Sequence, residues 1–109
     1  MATTDAHVTA AVKRYCKELG RMGIPCERVF LFGSQATGQA EDGSDIDLIV
    51  ISPAWEVYSA RERLELLGVA AARVLEPIQA LAATPEEVET HRLSLFVKQL
   101  LDEQAVLIA

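Results

Sequence analysis

Asp45 and Asp47, separated by one residue, are the side chains whose types and spacing best suit chemistry. They open one apolar segment, and a Gly-Ser pair, Gly33 and Ser34, closes another, with ten residues between Ser34 and Asp45. In a strand alternate side chains share a face, so we expect both carboxylates to point the same way while Ile46 points into the core. Carboxylates this close repel each other unless a cation lies between them or one stays protonated.

The residue types of this segment suit a divalent cation and a phosphate. Mg²⁺ in proteins commonly takes one or two carboxylates and completes its shell with water and substrate phosphate. Gly33 allows a turn and a close backbone approach, and Ser34 adds a hydroxyl and an N–H at the start of a predicted short helix. The alternative is a hairpin loop with solvated acids, since residues 39–44 (Gln-Ala-Glu-Asp-Gly-Ser) have good loop composition.

Apolar segments on either side predict the strands that position this motif. Residues 29–32 and 46–51 are short, apolar and rich in aromatic or β-branched side chains, which predicts two buried strands. Residues 78–83 form a weaker strand prediction because they are rich in Ala, and residues 106–108 suit a short terminal strand. The polar motif therefore occupies the long turn between the first two strands.

Helical periodicity and capping residues predict three helices. Apolar residues recur at helical spacing over residues 8–22, after an N-cap at Asp5. Capping boxes at residues 59–62 (Ser-Ala-Arg-Glu) and 84–87 (Thr-Pro-Glu-Glu) begin the second and third helices, and the third is predicted to continue to about Asp102. The predicted apolar stripe of the second helix consists of Leu64, Leu67, Ala71, Val74 and Leu75.

These elements predict one domain, residues 1–109, of the α/β (α+β) class. Their order favours a short mixed β-sheet flanked by helices. No Gly-x-Gly-x-x-Gly follows a predicted strand, so a dinucleotide-binding fold has no support. Cys16 and Cys26 match no metal-binding or redox spacing, which predicts two reduced thiols.

The net charge and the hydropathy of the chain argue against some classes of partner. The formal net charge of −6 argues against sequence-independent nucleic-acid binding, which needs a basic face. We expect a cytoplasmic protein without membrane contact, because no apolar stretch is long enough to cross a bilayer and no signal peptide is recognisable. His7 and His91 suit surface positions, whereas Trp55 and Tyr58 suit either a partner anchor or a cover for the core.

The motif segments, residues 31–34 (Leu-Phe-Gly-Ser) and 44–50 (Ser-Asp-Ile-Asp-Leu-Ile-Val), resemble those of the DNA polymerase β-type nucleotidyltransferase superfamily. Within it the chain is most similar to the minimal nucleotidyltransferases, the small partners of HEPN-domain proteins. The stretch at residues 84–87 after the third strand is also typical of that family. The resemblance implies a short mixed sheet flanked by helices. It also implies transfer of a nucleoside monophosphate from ATP or another NTP to a hydroxyl, with release of pyrophosphate.

The resemblance also implies roles for the motif residues. Asp45 and Asp47 would ligate two Mg²⁺ ions, and Gly33 and Ser34 would hold the β- and γ-phosphates. Such metals stabilise the attacking and leaving oxygens of an in-line displacement. The chain departs from the family at the third acidic position, five residues before Thr84, where it has Gln79. Glu76 takes this place only if the register of the third strand differs from the one that this count from Thr84 assumes.

Two functional hypotheses follow from the resemblance. The first is a Mg²⁺-dependent nucleotidyltransferase that modifies a hydroxyl on a HEPN-type partner, with this chain as the antitoxin of a toxin-antitoxin system. The second is a weakened or inactive module that neutralises its partner by binding, which Gln79 favours. An antibiotic-modifying enzyme is a weaker third hypothesis, because it needs a larger second domain. Apolar residues near the C-terminus, including Leu95, Phe96 and Val97, predict a surface for a partner or for a homo-oligomer.

Overall fold

The computed structural model describes residues 6–33, 45–90 and 106–108, and it confirms the predicted order of elements. The helices are α1 (Ala6–Arg21), α2 (Ala60–Val74) and α3 (Pro85–Glu89), with a short 3-10 helix at Pro53–Val57. The strands are β1 (Arg28–Phe32), β2 (Ile46–Ile51), β3 (Ile78–Ala83) and β4 (Val106–Leu107). The predicted N-cap at Asp5, the continuation of the third helix to Asp102 and the apolar residues 95–97 lie outside the described residues.

The four strands form one mixed sheet in the order β3-β2-β1-β4. β1 is antiparallel to β2 and to β4, whereas β2 and β3 are parallel. The amino ends of β2 and β3 therefore lie at the same end of the sheet as the carboxyl end of β1. The register places Asp47 opposite Phe32 on β1 and opposite Gln79 on β3. This small fold of helices and a mixed sheet is the predicted α+β class.

The helices α1 and α2 cover one face of the sheet. α1 buries the side that faces the strands, because its apolar residues recur every three or four positions. The hydroxyl of Tyr15 donates to the carbonyl of Leu67 at 2.9 Å, which ties the two helices together. On the other face Ile49 and Ile51 are fully buried, with Phe30 packed against them. Asp47 shares this second face with Ile49 and Ile51, since alternate strand residues point the same way.

The predicted apolar stripe of α2 is confirmed in part. Leu67 is buried, and Ala71 and Val74 pack against the core. The prediction was wrong for Leu64 and Leu75, which are 57% and 88% exposed. Leu75 lies beyond the helix in the left-handed conformation of a C-cap, with φ 57°, which takes its side chain off the buried face.

Both predicted capping boxes are present, and Trp55 belongs to the core. The hydroxyl of Ser59 accepts from the backbone of Glu62 at the start of α2, and Thr84 accepts from Glu87 at the start of α3. Trp55 is fully buried, and its indole N–H donates to the carbonyl of Val50 at 3.2 Å. Of the two alternatives for this aromatic side chain, the structure therefore shows the cover for the core.

Cys16 and Cys26 are free thiols, as predicted, but they lie next to each other. A turn through Gly23, at φ 90°, brings the loop that carries Cys26 back against α1. A hydrogen bond from the Cys26 thiol lowers the pKa of Cys16, although burial of Cys16 opposes this shift. The spacing of the two cysteines in the sequence does not predict this contact.

Among the described helices, none is long and apolar enough to cross a membrane.

Candidate functional site

The two aspartates lie at the amino end of β2, as predicted. Asp47 is the second residue of the strand and partly buried, whereas Asp45 immediately precedes the strand and is exposed. Ile46 between them is only 2% exposed and packs into the core. The pleat of β2 therefore fixes the direction of Asp47, while Asp45 depends on side-chain contacts for its position.

Gly33 lies against the carboxylate of Asp47. It follows β1 directly and has φ +72°, a left-handed conformation that favours glycine. A Cβ atom built at this position would lie 2.5 Å from Oδ2 of Asp47, so a larger residue would displace the carboxylate. Since Phe32 pairs with Asp47, the register of β1 and β2 forces this close approach. Ser34 lies outside the described residues, and its contact with phosphate stays a prediction.

Gln79 occupies the position next to the two aspartates. It faces Asp47 in the parallel register of β2 and β3, and its amide Nε2 donates to Oδ2 of Asp45 at 2.9 Å. The alternative in which Glu76 takes this place is wrong. The carboxylate of Glu76 instead accepts from Arg14 at 2.8 Å and lies 3.3 Å from Nε2 of His7, a histidine with no predicted partner.

The comparison with family models decides the family. The model of the nucleotidyltransferase domain matches residues 11–104, which is most of the chain. This chain belongs to that family. The match includes all four predicted site residues, and it confirms the polymerase β-type resemblance inferred from the sequence. No curated protein matches the chain.

Two solved structures share the fold of this nucleotidyltransferase domain. A toxin-antitoxin crystal structure with AMP-PNP has a TM-score of 0.62 at 22% identity, over 93% of this chain and 72% of the other. A proposed nucleotidyltransferase from Sulfolobus solfataricus has a TM-score of 0.61 at 19% identity, over 93% of this chain and 78% of the other. At these identities the likeness shows the fold alone.

The electrostatics of the candidate site are dominated by two negative charges that lie close together. Burial, and then the negative charge of Asp45, raise the pKa of Asp47. Within residues 6–33, 45–90 and 106–108, neither aspartate forms an ion pair. The site therefore presents negative potential that a bound cation would neutralise.

The donor set fits a cation that is shared with a phosphate ligand. Within the described ranges no group of three His, Cys, Asp or Glu side chains could enclose a metal ion. Two carboxylates alone suit Mg²⁺, which keeps several waters and completes its shell with substrate phosphates. A Mg²⁺ ion at these two carboxylates would therefore have only part of its coordination shell from the protein, and a nucleotide could supply the rest.

A cleft of about 490 Å³ extends from Asp47 along the edge strand β3. Asp47 and Gln79 form its polar part, and Leu64 and Gly68 of α2 contribute to its apolar wall. This position explains why Leu64 is exposed although it lies on a helix with a buried face. No local pattern in the sequence identifies these lining residues, because only the packing of α2 beside β3 brings them to the cleft.

Proposed function

We propose that this nucleotidyltransferase domain transfers a nucleoside monophosphate from ATP or another NTP to a hydroxyl on a partner protein. The proposal rests on one observation above all. In a chain of this family, Asp45 and Asp47 lie together at the end of the sheet, with Gly33 against Asp47. The proposal treats residues 1–109 as one functional domain.

In this proposal Asp45 and Asp47 would hold divalent cation, with Mg²⁺ favoured because both ligands are oxygens. When bound, Mg²⁺ would neutralise charge on the triphosphate and stabilise the leaving pyrophosphate. Gly33 and Ser34 contact the β- and γ-phosphates, as the family motif implies. The positive φ of Gly33 supports this role, because a backbone without Cβ lets a ligand approach closely.

The transfer forms a bond between the acceptor oxygen and the α-phosphorus and breaks the bond from that phosphorus to the β-phosphate oxygen. Pyrophosphate leaves with the electron pair of the broken bond. The acceptor hydroxyl would lose its proton to water, because Asp45 and Asp47 are the proposed cation ligands and the amide of Gln79 beside Asp45 has no basic site to take the proton. The residues of this chain thus contribute positioning and charge rather than a general base.

The proposed acceptor is a HEPN-type partner protein, with this chain as the antitoxin. Two facts support a partner-supplied acceptor. The fold is shared with a toxin-antitoxin structure that contains AMP-PNP. The cleft beside Asp47 is open along β3, so a segment of another protein could reach the aspartates.

A second candidate function is a module that neutralises its partner by binding without transfer. The amide of Gln79 favours it, since the third acidic position of the family is neutral here and its N–H is directed at Asp45. In this case cation and nucleotide would have no effect on the complex with the partner.

A transfer assay separates the two functions. The chain is incubated with α-labelled ATP, Mg²⁺ and the HEPN-type partner, and label on the partner is measured. We expect transfer that disappears in Asp45→Asn/Asp47→Asn and persists in Glu56→Gln/Glu89→Gln, which removes two exposed charges outside the site. A stable complex without label transfer, unaffected by Mg²⁺ or ATP, would establish the binding module instead.

A further inference from the structure

The hydrogen bond between Gln79 and Asp45 affects how many cations the site can hold. We propose that Gln79 is a positioning residue that fixes Asp45 and limits the site to one tightly bound divalent cation per nucleotide. This rests on the proposed function and departs from the two ions that the family resemblance implies. It concerns the side chain of residue 79, which the family pattern expects to be acidic.

The position of Gln79 is set by the sheet rather than by chance contact. The parallel register places residue 79 directly beside Asp47. Of the two aspartates, Asp47 is the one that lies within strand β2. From there the side chain reaches forward to Oδ2 of Asp45 at 2.9 Å. Asp45 precedes the strand and is exposed, so this hydrogen bond is the described contact that orients its carboxylate.

The chemistry of the amide explains the limit on cations. A first cation can use both aspartates, because together they offer several oxygen lone pairs of which the amide takes one. A second cation beside the first needs further anionic ligands to offset the repulsion between the two ions. A carboxylate at residue 79 would supply one. Gln79 is neutral, and its N–H rather than its carbonyl is directed at Asp45.

The substitution Gln79→Glu tests the limit directly. Mn²⁺ replaces Mg²⁺ so that free and bound ions can be counted by electron paramagnetic resonance, with α,β-methylene ATP as a nucleotide that cannot transfer. We expect one tight Mn²⁺ per wild-type chain. In Gln79→Glu we expect a second ion that binds at least about tenfold more tightly than any second ion in the wild type, as changes around metal ligands typically give.

Two variants separate positioning from charge. Gln79→Met keeps the length of the side chain but removes the donor, so we expect one ion bound several-fold more weakly and no change in stoichiometry. Val57→Glu adds one negative charge at an 82% exposed position beyond the other end of β2, and we expect it to match the wild type. Thermal unfolding of each variant verifies that it is folded before ions are counted.

Each outcome distinguishes the inference from the function on which it rests. Two tight ions in the wild type, or a single one in Gln79→Glu, would overturn the one-cation limit while leaving the transferase proposal intact. Wild-type affinity in Gln79→Met would overturn the positioning role. If Asp45→Asn/Asp47→Asn binds Mn²⁺ and nucleotide as the wild type does, the proposed function fails, and the inference fails with it.

Discussion

Near the carboxyl ends of β2 and β3, Arg63 and Glu87 form an ion pair. At the amino end of β2, in contrast, the carboxylates of Asp45 and Asp47 lie close together without one among the described residues. Arg63 from α2 shows the paired arrangement. Its Nε donates to the carbonyls of Trp55 and Tyr58 at 3.1 and 3.2 Å, and its Nη1 donates to Glu87 at 2.9 Å. Glu87 also accepts from the backbone N–H of Thr84 at 2.7 Å. This end of the parallel pair is a stabilising network.

The pKa values of Glu87 and Asp47 shift in opposite directions. At Glu87 burial opposes the charged form, but the backbone of Thr84 and the charge and hydrogen bond of Arg63 outweigh it and lower the pKa. At Asp47 burial and the charge of Asp45 act together and raise the pKa. The negative charge of Glu87 is thus balanced by Arg63, whereas repulsion remains between Asp45 and Asp47, as expected where a ligand supplies the missing positive charge.

The largest expected effect is a loss of stability when the pair of Arg63 with Glu87 is removed. Arg63→Ala should lower the free energy of unfolding by about 2–3 kcal/mol, because it removes three hydrogen bonds and leaves the Glu87 charge without its partner. Urea denaturation measures the change. Arg61→Ala is the control, since that side chain is 90% exposed and its pair with Glu65 contributes less than about 0.5 kcal/mol. Equal losses in the two variants would contradict the network.

The next effect is at the close approach of Gly33 to Asp47. Gly33→Ala should lower stability by about 1–2 kcal/mol, because alanine is strained at φ +72°. Gly20→Ala is the control, since Gly20 is helical with nothing within 4 Å of its Cβ position, and it should gain stability. The clash of the new Cβ with the Asp47 carboxylate would add to the backbone strain. If it does, Gly33→Ala should cost less stability in a chain that also carries Asp47→Ala. Additive effects of the two substitutions would show backbone strain alone.

A smaller loss is expected at the cap of α3. Thr84→Ala should lower stability by about 1 kcal/mol, because the N–H of Glu87 loses its side-chain acceptor. Thr84→Ser keeps the hydroxyl and should recover most of that loss. Denaturation curves of the three proteins measure it. A serine variant as unstable as the alanine variant would assign the effect to the buried methyl group rather than to the cap.

The smallest expected effect has the opposite sign. Asp47→Asn should raise stability at neutral pH by up to about 1 kcal/mol, because it removes a like-charge contact that is partly solvated. With its pKa raised in the folded state, Asp47 binds more protons folded than unfolded, so its contribution to stability is lost as pH rises through that pKa. The gain of the variant should therefore grow from acid to neutral pH. A gain independent of pH would contradict the repulsion.

The periodicity of apolar residues and the capping boxes were enough to predict most of the fold. The three long strands and both capping boxes occur where the sequence predicts them, since these signals arise from neighbours in the chain. Leu64 was misassigned because periodicity gives the buried face of a helix but not how far the sheet extends beneath it. The contact of Cys16 with Cys26 was missed for a related reason, because it depends on how a loop folds back.

The sequence by itself determined the family and was enough to predict the candidate site residues, because Gly33, Asp45 and Asp47 stand in a motif whose spacing is local to one turn between two strands. The tertiary structure decided which side chain completes the site. Glu76 and Gln79 are three positions apart, and only the register of two parallel strands distinguishes them. That register depends on the packing of strands far apart in the chain. It directs a neutral amide toward Asp45 and leaves Glu76 to pair with Arg14.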